Sequence, residues 1–204
     1  MSDFIEIKAN KKSLAHRKPL FGVGINDACY MVSLVIDGSC TKCPYYEKWQ
    51  GMLQRCYDPK LHAKYPTYKD CYVCDEWLVF SNFKAWMEGQ VWQGLELDKD
   101  IKFQGNKLYS PETCKFVPKW INTLLCNQKL NRGEFPQGVY FNKQVKKYIA
   151  KITLHGARKH IGCYDTPELA SNAYNKVKYK IIHEAAHKQN DHEIRDGLLK
   201  YVII

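Results

Sequence analysis

Apolar residues recur at helical spacing in some stretches of this chain and alternate in others. Over Pro44–Tyr57 they fall at Tyr45, Trp49, Met52, Leu53 and Cys56, a repeat that predicts an amphipathic helix. Pro44 suits its first turn, where a missing N–H costs nothing. A second helix is predicted over 76–88, with Trp77, Phe80, Phe83 and Met87 on one side and Asp75 as its cap. A short strand is predicted over 30–36, closed by an Asp37-Gly38 turn, and the glycines of 21–25 read as a plain turn.

From 95 to 126 the pattern changes to strand, polar turn, strand, helix. "LELDKDI" is the first strand, "GNK" the turn, "KFV" the second strand, and 118–126 a helix burying Ile121, Leu124 and Leu125. Beyond a polar linker at 127–136, three short strands and a helix are expected. In the middle strand Ala150, Ile152 and Leu154 face one way, while Lys151, Thr153 and His155 face the other. Ile161 and Cys163 continue the apolar face. "DTPEL" then starts a helix with Thr166 as cap, Pro167 at the first position and Glu168 favourable to the helix dipole. Its buried stripe is predicted as Leu169, Ala170, Ala173, Tyr174, Val177 and Ile181.

The expected class is therefore α+β: a ββα motif on a helical scaffold, followed by a three-stranded antiparallel sheet packed on one helix. The division implied is a loose basic arm at 1–20, a first domain at 21–126, the linker at 127–136 and a second domain at 137–204.

Charge sharpens this picture. The chain carries 31 Lys and Arg against 21 Asp and Glu, a formal net charge of +10. Ten of the basic residues and only three acidic ones lie between 137 and 188. Such a local excess is the electrostatic footprint of a surface that meets a polyanion. The opening "MSDFIEIKANKKSLAHRK" has no apolar run, and no later segment approaches the roughly 20 apolar residues of a spanning helix, so a cytoplasmic protein without membrane partners is expected.

Nine cysteines is an odd number and many for such a compartment. Cys40-x-x-Cys43 and Cys71-x-x-Cys74 have the spacing of a structural zinc site. Their neighbours are large and apolar, however, so buried thiols are favoured over zinc.

The candidate chemistry lies in "LDKDI", where Asp98 and Asp100 flank Lys99, and in Asn122 on the following helix. On a strand both aspartates would point to one face and Lys99 to the other. Two carboxylates and an amide oxygen form a hard donor set suited to Mg²⁺ or Mn²⁺. Two readings stay open: metal-activated water attacks a phosphate, with Glu112 or a histidine as base, or the carboxylates pair with basic groups and orient the loop.

The string from "CPYYEKWQGMLQRCYDPK" through "PTYKDCYVCDEWLVFSNFKAWM" to "LDKDI…GNKLYSPETCKFVP…N" resembles phage-encoded proteins of the HNH or homing-endonuclease kind. The likeness covers residues 21 to about 188. It implies metal-dependent DNA cleavage in the host cytoplasm, with Asp98 and Asn122 as metal ligands. Lys99 stands where the family has its histidine base, and the usual middle asparagine falls near Pro111-Glu112. An ammonium has no lone pair near neutral pH and takes no proton from water.

The block "GVYFNKQVKKYIAKITLHGARKHIGCYDTPELASNAY" resembles the APETALA-type (ethylene-response-factor) DNA-binding domain over about 45 residues. That likeness implies that the sheet grips double-stranded DNA, here through Lys143, Lys147, Lys151, Arg158 and Lys159. Only one of these is arginine, and lysine acts as a point charge rather than a bidentate fork. The function expected is thus duplex DNA binding of homing-endonuclease type with a degenerate cutting site. The alternatives are a non-catalytic DNA-binding regulator, or a module that binds a protein partner and inhibits a host nucleic-acid enzyme.

Overall fold

The computed structural model describes residues 4–36, 38–126 and 133–203, and of Ile36 only the backbone. Asp37 of the expected turn and 127–132 of the expected linker lie outside the described residues. The elements run, in order, α1 (Lys11–Ala15), β1 (Ser33–Ile36), β2 (Ser39–Lys42), α2 (Pro44–Tyr57) and α3 (Pro59–Lys64). After β3 (Tyr72–Val73) and α4 (Phe80–Glu88) come β4 (Leu95–Asp98), β5 (Leu108–Tyr109), β6 (Lys115–Pro118) and α5 (Lys119–Leu125). The chain continues with β7 (Val139–Asn142), β8 (Lys147–Leu154), β9 (Ala157–Tyr164), α6 (Pro167–His187) and α7 (His192–Lys200). Helices and small sheets packed together make the chain an α+β protein. No helix among the described residues is long and apolar enough to cross a membrane.

The chain folds into two compact units that are interleaved in sequence: residues 1–93 with 105–116, and residues 94–104 with 117–204. The expected boundary at 127–136 thus differs from the observed one. The acid-bearing strand β4 and helix α5 share a core with the basic sheet, because Ile101, Val117, Ile121 and Leu124 cluster with Ala150, Ile152, Tyr174 and Ile182.

In the first unit α2 buries Trp49, Met52, Leu53 and Cys56, as its spacing predicts, and packs on α4. The Trp49 indole donates to the Trp77 carbonyl at 2.7 Å, so its one polar atom is satisfied inside an aromatic cluster. The second helix begins later than expected. Asp75–Leu78 is a tight 3₁₀ turn, and α4 starts at Phe80 with Val79, not Asp75, at its cap. The arm expected to be loose is held down. Ala9 N–H donates to the Cys29 carbonyl at 2.9 Å, and Met31 N–H to that of Ile7 at 2.8 Å. The Arg17 guanidinium donates to the carbonyls of Asn26, Ala28 and Tyr30. A fork with five donors closes a loop of unpaired carbonyls that a polar-arm reading overlooks.

In the second unit β4 pairs with β6, whose last two residues belong to this unit, and α5 follows. β4, β6 and α5 fall where strand, strand and helix were expected, but the expected Gly105-Asn106-Lys107 turn is part of a longer connection that carries β5, which pairs with β3 in the first unit. The sheet β7-β8-β9 is antiparallel, and α6 lies on one of its faces. Thr166 caps α6 through the Leu169 N–H at 3.3 Å. The buried stripe is Ala170, Tyr174, Lys178, Ile182, Ala185 and Ala186, while Leu169, expected inside, is exposed. α7, which the sequence reading did not foresee, packs on α6 through Ile194 and Leu198.

A candidate nucleic-acid interface and an acid loop

The open face of the sheet is built by register. Tyr140, Ile149 and Cys163 form one row; Asn142 and Lys147, Lys151 and His160, and Thr153 and Arg158 form the others. Alternation puts these side chains on the side away from Ala150 and Ile152, which pack in the core shared with α6. A bulge in β9 lies between the Ala150–Gly162 and Lys151–His160 pairs. It breaks the alternation, turning Ile161 toward the core while Cys163 stays exposed opposite Ile149. The expected inward Cys163 is therefore corrected.

The basic residues expected on this face divide in three. Lys147, Lys151 and Arg158 belong to it. Lys143 sits in the β7–β8 loop, whose shape is set by the Asn142 carboxamide accepting the Gln144 N–H at 2.9 Å. Lys159 pairs with Ile152 and so leaves the open face, because the alternation that exposes Arg158 turns its neighbour the other way. Lys151 lies 4.9 Å from the ring centroid of Tyr140, a cation–π contact that props the ammonium up from the sheet. Lys147 is 3.1 Å from the Asp165 carboxylate, whereas Arg158 has no ion pair among the described residues. The β8–β9 hairpin turns through His155 and Gly156, both at positive φ (51° and 80°), which is the geometry of a two-residue type I′ turn. The His155 ring packs on Trp120 of α5 with centroids 4.8 Å apart.

The acid loop follows β4. The strand ends at Asp98, so the expected alternation of Asp98 and Asp100 along one strand does not occur. Asp98 Oδ1 instead turns back to accept the N–H groups of Asp100 at 2.8 Å and Ile101 at 2.6 Å. Lys99 is buried, and its ammonium lies 2.7 Å from Asp100 Oδ2. Asp100 Oδ1 is buried without a hydrogen-bond partner among the described residues. Burial raises the Asp98 pKa above the usual carboxylate range, and the neighbouring Asp100 charge adds to the rise. Asn122 Oδ1 faces the Cys126 thiol one helical turn on, at 3.7 Å.

Around this loop stand residues that sequence reading missed. Lys178 is fully buried on α6, with its ammonium 3.3 Å from Gln137 Oε1 and 5.5 Å from the Tyr201 ring centroid. The Tyr201 hydroxyl donates to the Leu125 carbonyl at 2.7 Å, and burial pushes its pKa up to about 12. Lys178 was visible as a lysine at i+4 spacing between Tyr174 and Ile182. Tyr201 gave no signal.

These positions test the expected Mg²⁺ or Mn²⁺ site. Asp98 Oδ1 is committed to two N–H donors, Asp100 Oδ2 to Lys99, and Asn122 Oδ1 to the Cys126 thiol. The Lys99 ammonium is already seated on Asp100, so a divalent cation at this carboxylate would have to displace a bound positive charge. Glu112, the expected base, belongs to the other unit. Nor do the four cysteines of the two C-x-x-C pairs converge. Cys43 faces the Tyr30 hydroxyl and Cys40 the Ser33 hydroxyl, and no group of three metal-ligating His, Cys, Asp or Glu residues stands together among the described residues.

Comparison of the chain with protein-family models, with curated proteins and with solved structures gave no match.

Proposed function

We propose that this chain binds double-stranded DNA through the open face of β7-β8-β9. One observation carries the reading: Lys147 on one side of the Tyr140–Ile149–Cys163 row, and Lys151 and Arg158 in the two rows on its other side, share the sheet face opposite α6. A twisted ribbon of this width fits the major groove, with ammonium groups on phosphates and the Arg158 fork on base acceptors. Tyr140 supplies an aromatic surface beneath Lys151. The pairing of β4, which ends at Asp98, with β6, followed directly by α5 with Asn122, supports a kinship with HNH proteins. Cutting is not part of this proposal, since Lys99 stands as a cation paired with Asp100 rather than as a base. Fluorescence anisotropy with a labelled duplex tests it. Binding at low salt that weakens linearly on a log–log plot against salt is expected, and no binding at low salt refutes it.

A basic, partly apolar face also suits an acidic protein surface, the rival in which the chain inhibits a nucleic-acid enzyme. No residue of the face favours that partner over phosphate, so DNA stands as the conclusion.

A further inference from the structure

The acid loop and the likeness to metal-dependent nucleases disagree, and the disagreement has a specific location. Where a divalent cation would neutralise Asp100, the ammonium of Lys99 stands 2.7 Å from its carboxylate. Lys99 is 7% exposed, so this charge is not a surface lysine that swings into water. The loop around it is fixed from both ends. Asp98 Oδ1 closes the turn onto the Asp100 and Ile101 N–H groups. On the far side Lys102 pairs with Glu193 at 2.8 Å, and the Gln104 carboxamide bonds both the carbonyl and the N–H of Val202 at 2.8 and 2.9 Å.

We propose that Lys99 is a tethered counter-ion to Asp100, standing where a divalent cation would otherwise neutralise it, so that the wild-type protein folds without such an ion and does not take one up. The physical ground is charge and space. A lysine ammonium is a compact cation that satisfies one carboxylate oxygen with a charge-assisted hydrogen bond. A divalent ion needs several oxygens at once and would have to displace it. Asp100 Oδ1, buried and without a partner, is what a single ammonium leaves over in a site where a multidentate ion would use both oxygens. The inference stands apart from the DNA reading and does not require it.

The test is Mn²⁺ binding by the full chain, followed by electron paramagnetic resonance and by thermal melting. Lys99→Met keeps the apolar stem and removes the charge; Lys99→Arg keeps the charge. Lys99→Met is expected to bind Mn²⁺ at least about tenfold more tightly than wild type, since a competing positive charge is gone. Its melting temperature should rise with added Mn²⁺ while those of wild type and Lys99→Arg stay fixed. Adding Asp100→Asn to Lys99→Met should abolish the gain. Equal Mn²⁺ binding by wild type and Lys99→Met, or none by either, overturns the proposal. Should Lys99→Met lose its fold, restoration by Mn²⁺ during refolding supports the idea and failure to restore it refutes it. Duplex binding by the same proteins, read separately, reports on the DNA proposal alone.

Discussion

Gly197 of α7 lies against the carbonyl of Ile101 with no room for a side chain between them. The acid loop is therefore pressed backbone-to-backbone onto a helix. A β-carbon at 197 would meet both the carbonyl oxygen and the carbonyl carbon, the carbon at 2.9 Å. Gly197→Ala should destabilise the protein by about 1–3 kcal/mol, the usual cost of forcing atoms into a packed site. Urea denaturation measures it. A stability equal to wild type would show that α7 does not hold the loop.

A second glycine separates strain from crowding. Gly138 has φ +76°, and a β-carbon there would collide with the Tyr174 ring and approach the Lys151 carbonyl oxygen to 2.7 Å. Gly156 has a similar φ, +80°, but open space around it. Gly156→Ala should cost about 1–2 kcal/mol, the left-handed penalty alone. Gly138→Ala should cost clearly more, because Tyr174 is a core residue that cannot move aside. Equal losses in denaturant melts would contradict the packing of 138 on α6.

Asp98 sets a pH dependence whose sign is opposite to that of a salt-bridged carboxylate. Its pKa in the folded protein is raised above the reference value of 3.8, with burial the largest cause. The native state thus holds the proton more tightly than the unfolded chain. This contribution favours folding fully below pH 3.8, and is lost as pH rises through the native pKa. Asp98→Asn removes the titration and keeps an acceptor for the two N–H groups. The stability difference, Asp98→Asn relative to wild type, is expected to grow in favour of the variant as pH rises from about 4 to 7. Denaturant midpoints across that range check it, and a difference that shrinks with rising pH would contradict the burial of this carboxylate.

Much of this fold was legible because its signals are local. The spacing from Tyr45 to Cys56, the Thr166-Pro167-Glu168 start and the alternation through Lys151–Leu154 each depend on neighbours within a turn or two. What was hidden depends on distant pairing. The β9 bulge exists only relative to β8, and no periodicity shows that Lys159 and Cys163 change sides. The joining of 94–104 to the C-terminal half is a property of the shared core around Ile101, not of any linker composition. In the acid loop the strand stops at Asp98 because its carboxylate captures the N–H groups of Asp100 and Ile101, which alternation alone does not show. A short polar side chain that competes with strand pairing is a known breaker, and Asp98 carried that signal too.

The register makes a sharp distinction among neighbouring cations. Arg158→Ala should weaken duplex binding and flatten its salt dependence, reducing the log–log slope by about one. Lys159→Ala, one residue away but opposite Ile152, should change the slope by much less. Equal effects from the two would mean that the hairpin, rather than one face of it, meets the nucleic acid.

The central claim is tested most directly by the salt dependence of duplex binding for wild type and for Lys151→Ala/Arg158→Ala, measured by anisotropy over a range of salt concentrations. The account expects log affinity to fall linearly with log salt for wild type, and the double variant to have a slope shallower by about two with its melting temperature unchanged. Identical slopes for the two proteins would contradict it.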